Sequence, residues 1–352
     1  MSKTILISPL DWGLGHATRI IPIIEYYLRS NHRVVIGGNG VSFSVLKKRF
    51  PALEFESIPG YEVTYSNKVG FAIKMLLSLP AIYSGIKKEE KRVAQLHKEY
   101  QFDLIISDNR YGVHLNGVKS FIVTHQLNIR FPYFENIIFK VQKKLLNTFD
   151  CCLVPDFPLK ENLAGELSIL KKGQQLKTSL KYVGALSRFY NSTIEQGTIK
   201  YQFIAVVSGP EPHRTELTNL LIQAFKESDQ QLAILTYDYK LMTDFPSNVH
   251  LFLDCDDEQF LSLIAQSETL ISRSGYTTLM DLIYLKKGAF FIPTPGQTEQ
   301  LYLAEYAQKN GWANYCLQED FSIDKVVTGS KEGKGFPFGK SPLNVVLGGL
   351  EE

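Results

Sequence analysis

Long apolar runs are missing from this sequence. No stretch approaches the roughly 20 consecutive apolar residues of a helical membrane span. Residues Met1 to Leu10 are too short and too strand-like for a secretory signal. Cysteine is scarce: Cys151, Cys152, Cys255 and Cys316 show neither CxxC spacing nor a neighbouring His ligand pattern. Such thiols are expected to be reduced, as in a cytoplasmic protein. No nucleic-acid-binding motif is present, so no nucleic-acid partner is expected. The dinucleotide fingerprint lacks its third glycine, and Gly37-Gly38-Asn39 stands where an acidic residue would meet a ribose. That argues against NAD. The acidic cluster Asp254-Cys255-Asp256-Asp257-Glu258 could suggest a metal, but consecutive acids that start a helix usually stabilise its dipole, so no metal is expected in the chemistry, and no other cofactor is expected.

What is present suits a globular protein of two ordinary domains in 352 residues. Charge divides them. Residues 1–185 carry 25 Lys and Arg against 15 Asp and Glu, and residues 186–352 carry 13 against 21. Those two ranges are the expected domains. A basic first half suits phosphates or anionic lipid headgroups, the alternative being ordinary solvated lysines.

The first half opens with a buried strand, Thr4 to Ser8, then Gly13-Leu14-Gly15-His16, then a helix over about Ala17 to Ser30. Ile20, Ile23, Ile24, Tyr27 and Leu28 recur at helical spacing. Arg33 to Gly37 is the next strand, which makes a βαβ unit and a Rossmann-like domain. A neutral imidazole at His16 could take a proton from a hydroxyl, and a helix N-terminus disfavours imidazolium. The alternative is a His that caps the helix or positions a ligand. Leu104 to Ser107 is another buried strand, ending at Asp108. Ligands meet the carboxyl ends of strands in such folds, which places Asp108 towards the same side as His16. Its alternative is a loop carboxylate capping a turn. Ser120 to Thr124 precedes His125 and Asn128.

The stretch from Leu270 to Gln300 says most about chemistry. It reads strand, tight turn, helix, Gly stop, strand, loop and helix start. The turn Arg273-Ser274-Gly275 leaves backbone N–H groups open at the positive end of a helix, which attracts a phosphate. Thr277 and Thr278 add hydroxyls, and Asp281, a turn further on, could accept from a ribose. Glu299 and Gln300 end the following loop, within reach of a sugar. A second Rossmann-like unit begins at the strand Tyr201 to Val207, followed by Ser208, Gly209 and Arg214. Arg214 could offset phosphate charge or be a solvated first-turn residue.

The pattern S-R-S-G-x-x-T-x-x-[acid], then K-x-G, F-I-P and E-Q, resembles the donor-binding signature of GT-B glycosyltransferases, and among them the C-terminal domain of family 28. That family includes the enzyme moving N-acetylglucosamine from its UDP-linked form onto a lipid-linked peptidoglycan precursor. Gly13-x-Gly15-His16 is similar to the N-terminal loop of GT-B enzymes acting on lipid-linked or small acceptors. The resemblance implies an α/β fold of two Rossmann-like domains facing across a cleft. It implies donor binding by Gly15, Ser208, Gly209, Arg214, Ser274, Gly275, Tyr276, Thr277, Thr278, Asp281, Glu299 and Gln300. Phe252 to Asp254 would hold the base. It places Gly13, His125 and Asn128 on the acceptor side, His125 being a second candidate base. It gives His16 the role of base, oriented by Asp108, by likeness to plant-type inverting enzymes.

The expected activity is therefore inverting, metal-independent transfer of N-acetylglucosamine or another hexose from a UDP-sugar to a hydroxyl. A lipid-linked glycan or a lipid is among the candidate acceptors. The alternatives are a GT-B epimerase or hydrolase and an inactive nucleotide-sugar-binding protein. Two apolar stretches beside clustered cations, Val69 to Tyr83 and Tyr133 to Phe149, have the composition of a surface resting on an anionic membrane, such as the inner face of the plasma membrane. The alternative is helices packed on the sheet. Residues Thr328 to Gly339 read as a Gly- and Lys-rich mobile segment.

Overall fold

The computed structural model describes residues 2–11, 13–60, 71–129, 135–158, 162–194, 197–237 and 245–351, with the backbone alone at 71–79, 136 and 351. Two compact units emerge. One comprises Met1–Arg188 with Ser341–Glu352, and the other Phe189–Lys340.

In the first unit the chain order is β1 (Thr4–Pro9), α1 (Leu14–Arg29), β2 (Arg33–Gly38), α2 (Gly40–Arg49), β3 (Glu54–Ser57), α3 (Phe71–Tyr100), β4 (Leu104–Asp108), β5 (Lys119–Val123), α4 (Glu135–Leu146), β6 (Cys151–Val154) and β7 (Ser179–Tyr182). The strands form one parallel sheet in the order β3-β2-β1-β4-β5-β6-β7. Parallel neighbours need a crossover, which explains the helices between strands. Burial on both faces explains the unbroken apolar runs: Ile5, Leu6, Ile7, Ile105 and Ile106 are inaccessible to solvent. On α1, Ile20, Ile23, Ile24 and Tyr27 are equally buried. Each such side chain contributes on the order of 1.5–3 kcal/mol. The helix stops at Asn31, whose backbone is left-handed.

The second unit continues with β8 (Tyr201–Val206), α5 (His213–Phe225), β9 (Leu232–Thr236), β10 (Val249–Leu253), α6 (Asp257–Ala265), β11 (Ser267–Ser272), α7 (Tyr276–Leu285), β12 (Gly288–Phe291), α8 (Thr298–Lys309), β13 (Asn314–Tyr315) and α9 (Ile323–Glu332). Its parallel sheet runs β10-β9-β8-β11-β12-β13. Ala205, Ile234, Ile271 and Phe290 from four strands pack with Leu217, Leu221 and Phe225 of α5.

Three expectations need correction. The second unit does not run to residue 352: helix α10 (Leu343–Glu351) packs with the first unit, burying Leu343 and Leu347, while Ser341 donates to the carbonyl of Val183. The segment Thr328 to Gly339 is not free. It completes α9, and Phe336 and Phe338 then pack on Trp312. The stop after α7 is not the glycine. Lys286 takes the left-handed position, and Gly288 begins β12. The stretch Val69 to Tyr83 lies outside the described residues up to residue 70 and in its side chains up to 79, and Tyr133 to Phe149 does so at 133, 134 and the side chain of 136.

Each sheet reverses its strand order beside its first strand, between β1 and β4 and again between β8 and β11. Carboxyl ends of strands at such a reversal form a ready ligand crevice. Both loops singled out by the sequence end up at these two places.

Candidate active site

In the first unit β1 feeds α1 through a turn held by α2. Ser42 donates its hydroxyl to the carbonyls of Leu10 (3.0 Å) and Gly13 (3.2 Å), and its N–H to Asp11 Oδ1 (2.9 Å). Gly40 lies so near that a Cβ there would sit 1.6 Å from Asp11 Oδ2. Gly13, with φ of 104°, is the N-cap of α1 and supplies no side chain for capping. His16 therefore stands in the first turn of α1. Asp108 is the last residue of β4, paired with Pro9 of β1. Its carbonyl accepts from Leu10 N–H (3.0 Å), and Asn109 then turns left-handed.

These elements bring His16 and Asp108 together. His16 Nδ1 is 3.0 Å from Asp108 Oδ2. The carboxylate is fully buried and the imidazole 15% exposed. A third group joins them. Arg19 Nε donates to both Asp108 oxygens at 3.1 and 2.9 Å, its Nη2 also reaches Oδ1, and the same Nη2 lies 2.8 Å from His16 Nδ1. Burial alone would push the Asp108 carboxyl up. The charges of Arg19 and His16, and the hydrogen bonds both make, outweigh it and hold the carboxyl at about 2. The His16 imidazole is lowered below its ordinary value, first by burial and then by the Arg19 charge, against the pull of Asp108. A neutral imidazole tethered through Nδ1 leaves Nε2 as a proton acceptor. Arg19 was not among the sequence candidates. Its i, i+3 spacing from His16 was visible, but its salt partner is remote in sequence.

His125 and Asn128 follow β5. His125 is 5% exposed and lies near enough to His16 to act on its charge. Asn128 is occupied structurally, since its Nδ2 donates to the carbonyls of Glu166 (3.1 Å) and Ile169. The amide thus pins the turn at Gly165–Ser168.

In the second unit the corresponding reversal is built from backbone. Arg273 is buried and donates to the carbonyls of Ile292 (2.9 Å), Pro293 (3.2 Å) and His213 (3.1 Å) and to Gln318 Oε1 (2.7 Å). Burial pushes its guanidinium down to about 10. It serves as a brace for the loops after β12 and before α5. Ser274 donates to the Gln300 carbonyl (2.7 Å), and the Gln300 amide accepts from Thr294 N–H (2.8 Å) and donates to Gln297 (2.7 Å). Gly275 is the N-cap of α7, without a side-chain capping bond and without an acidic residue in the first turn. The first turn of α7 thus carries no carboxylate of its own against the positive end of the helix dipole. Tyr276 is buried, while Gly275, Thr277, Thr278, Asp281 and Glu299 are half-buried.

Ser208 and Gly209 follow β8, on the neighbouring strand end. Gly209 is exposed with φ of 112°. Arg214, in the first turn of α5, pairs with Glu211 at 2.5 Å, so part of its charge is already met. Tyr237 and Leu253 are exposed at the ends of β9 and β10. The acids after β10 cap a helix: Asp256 accepts from Gln259 N–H at 2.8 Å. Among the described residues no group of three or more His, Cys, Asp or Glu is placed to hold a metal ion.

Residues 197–334 match the model of the glycosyltransferase family 28 C-terminal domain. This chain is a GT-B glycosyltransferase resembling family 28. An uncharacterized glycosyltransferase of Methanosarcina mazei is 22% identical over 322 residues, covering 85% of this chain and 82% of that protein. Among solved structures, the spinosyn rhamnosyltransferase SpnG is similar with a TM-score of 0.68 at 14% identity, covering all of both chains. Its complex with thymidine diphosphate gives 0.66 at 13% identity, over 99% of this chain and 100% of that one. MurG of Acinetobacter baumannii gives 0.56 at 13% identity, over 100% and 91%. The family match spans β8 to α9, so it includes the whole strand reversal at β8 and β11. No helix of the described residues is long and apolar enough to cross a membrane.

Proposed function

We propose that this glycosyltransferase inverts the configuration of a hexose taken from a UDP-sugar and acts without a metal. The observation that carries the reading is the His16–Asp108 pair, a neutral imidazole held through Nδ1 on a buried carboxylate. The acceptor hydroxyl loses its proton to His16 Nε2 as its oxygen bonds to the anomeric carbon. The bond from that carbon to the diphosphate breaks on the opposite face. One base and one displacement give inversion. The negative charge on the departing diphosphate is met by the first-turn amides of α7 and by Arg214. Asp281 takes the ribose, Glu299 the sugar, and Tyr237 and Leu253 offer apolar surface to the base. N-acetylglucosamine is the first sugar to test.

A lipid-linked glycan or a lipid is the proposed acceptor class. Ile137 and Val141 of α4 stand 59% and 47% exposed, with Lys140 and Lys144 exposed beside them. Such a face suits an anionic bilayer surface.

A thermal-shift panel of nucleoside diphosphates, UDP and thymidine diphosphate included, tests donor binding. Saturation at a hundred times Kd stabilises by about 2.7 kcal/mol. Product analysis with UDP-N-acetylglucosamine and other UDP-hexoses, with and without lipid extract and with EDTA, tests the rest. Glycosylated product that persists in EDTA is expected. Free sugar or an epimerised donor as the only product would overturn the reading.

A further inference from the structure

Arg19 has no part in the scheme above, yet it is the most intimate neighbour of both its members. It lies three residues after His16, on the same face of α1, and is 3% exposed. Its fork spans both oxygens of Asp108. An arginine in that position fixes the plane of the carboxylate. Asp108 Oδ2 then points at His16 Nδ1.

The same fork creates a conflict that decides the tautomer. His16 Nδ1 has an acceptor, Asp108 Oδ2, at 3.0 Å and a donor, Arg19 Nη2, at 2.8 Å. One nitrogen cannot serve both. If Nδ1 accepted from Arg19, its lone pair would face the carboxylate at hydrogen-bond distance, and Nε2 would carry the proton and be useless as a base. If Nδ1 donates to Asp108, the fork still has both carboxylate oxygens to donate to. The second arrangement sets the Nδ1–H beside Arg19 Nη2 as donor to donor, but Nη2 keeps its bond to Asp108 Oδ1, and no lone pair is left against the charged carboxylate.

We propose that Arg19 is a positioning residue of the transfer reaction: its guanidinium aligns Asp108 to accept the hydrogen bond from His16 Nδ1–H, and its fixed charge opposes a second cation on the ring. It rests on His16 being the base. With Asp108 ionised and Arg19 charged, the cluster is neutral while the ring is neutral. A proton arriving from bulk water would leave a net positive charge in a buried place. Among the described residues, the charged or titratable groups that act on the ring are Arg19 on its own helix, Asp108 on β4 and His125 after β5. Of these Arg19 is the one fixed cation. The lowered imidazole value, with Arg19 second only to burial among its causes, agrees with this geometry. During transfer the proton on Nε2 comes from the acceptor. Asp108 stabilises the resulting imidazolium, and Arg19 favours its release to solvent afterwards.

The test is a nitrogen NMR titration of the intact protein, with His16 assigned by the signal lost in His16→Asn. In the native protein Nδ1 is expected to carry the proton at neutral pH, with Nε2 bare. An Nε2–H ring accepting at Nδ1 would overturn the proposal without any Arg19 variant. In Arg19→Gln the midpoint of His16 is expected to rise by about one pH unit or more. Arg19→Lys keeps the cation but not the fork, so its midpoint stays near the native one. A folded Arg19→Gln with an unmoved midpoint would also overturn it. If Arg19→Gln does not fold, the native tautomer decides. The ring reports whether or not sugar is transferred, so this result stands apart from a missing transferase activity.

Discussion

The two strand reversals share a topology and differ in what they are made of. At β1 and β4 the first unit gathers three charged or titratable side chains within hydrogen-bond distance, Asp108 fully buried and Arg19 nearly so. At β8 and β11 the second unit presents glycine, hydroxyls and main-chain amides, and the buried cation Arg273 is spent on four acceptors of the protein itself. The first arrangement can hold and move a proton. The second has fixed dipoles suited to an anion that arrives and leaves. One fold thus supplies two chemistries by changing what stands at the carboxyl ends of its strands.

Removing charge from the first reversal should have the largest effect. Asp108→Asn leaves the buried Arg19 without its counter-charge and deprives His16 of its acceptor. A loss of about 3–5 kcal/mol of stability is expected from breaking such a pair. Activity should fall by about 10²–10⁴, the usual worth of acid–base help. The acid limb changes too. The Asp108 carboxyl is held below its ordinary value, so its contribution is full above the unfolded value and lost as pH falls towards about 2. Denaturant melts across that window should lose this limb in the variant.

Adding charge to the second reversal should split stability from function. Gly275 has an ordinary negative φ and only Thr278 Oγ1, at 3.9 Å, within 4 Å of an added Cβ. Gly275→Asp supplies α7 with the cap it lacks, worth about 0.5–2 kcal/mol of added stability. The same carboxylate repels a diphosphate, so nucleotide affinity should fall at least about tenfold. A variant that melts later yet binds UDP unchanged would show that the amides of α7 are not the anion site.

The smallest contrast lies in the first turn of α8, where Glu299 and Gln300 stand instead of ending the loop before it. Gln300→Ala removes the acceptor of Thr294 N–H and should cost about 1 kcal/mol. Glu299→Ala, at a half-buried position, should lower sugar affinity, read from the dependence of transfer on donor concentration. A Gln300→Ala variant that melts with the native protein would contradict the weight given to its bond with Thr294 N–H.

Much of this was legible in the sequence because it is local. The apolar strand runs, the period of α1 and the turn Arg273-Ser274-Gly275 declare themselves within a dozen residues. Asp108 could be placed because it ends an apolar run. What stayed hidden depends on contacts remote in the chain. Arg19 gains its meaning from a carboxylate on β4, and Arg273 from carbonyls after β12. Asn128 read as a ligand-side residue, but carbonyls near residue 167 claim its amide. The Gly- and Lys-rich segment after Thr328 read as mobile, since its composition conceals that Phe336 and Phe338 have Trp312 to pack against. Gly329 sits there because a Cβ would stand 2.7 Å from the Phe290 ring.

The measurement closest to the central claim is a paired assay of His16→Ala, a substitution in the first unit alone. Nucleotide binding is read by thermal shift and sugar transfer by product formation. The account predicts native affinity for the nucleoside diphosphate with transfer reduced by about 10²–10⁴. Transfer at the native rate in a protein without that imidazole would contradict it.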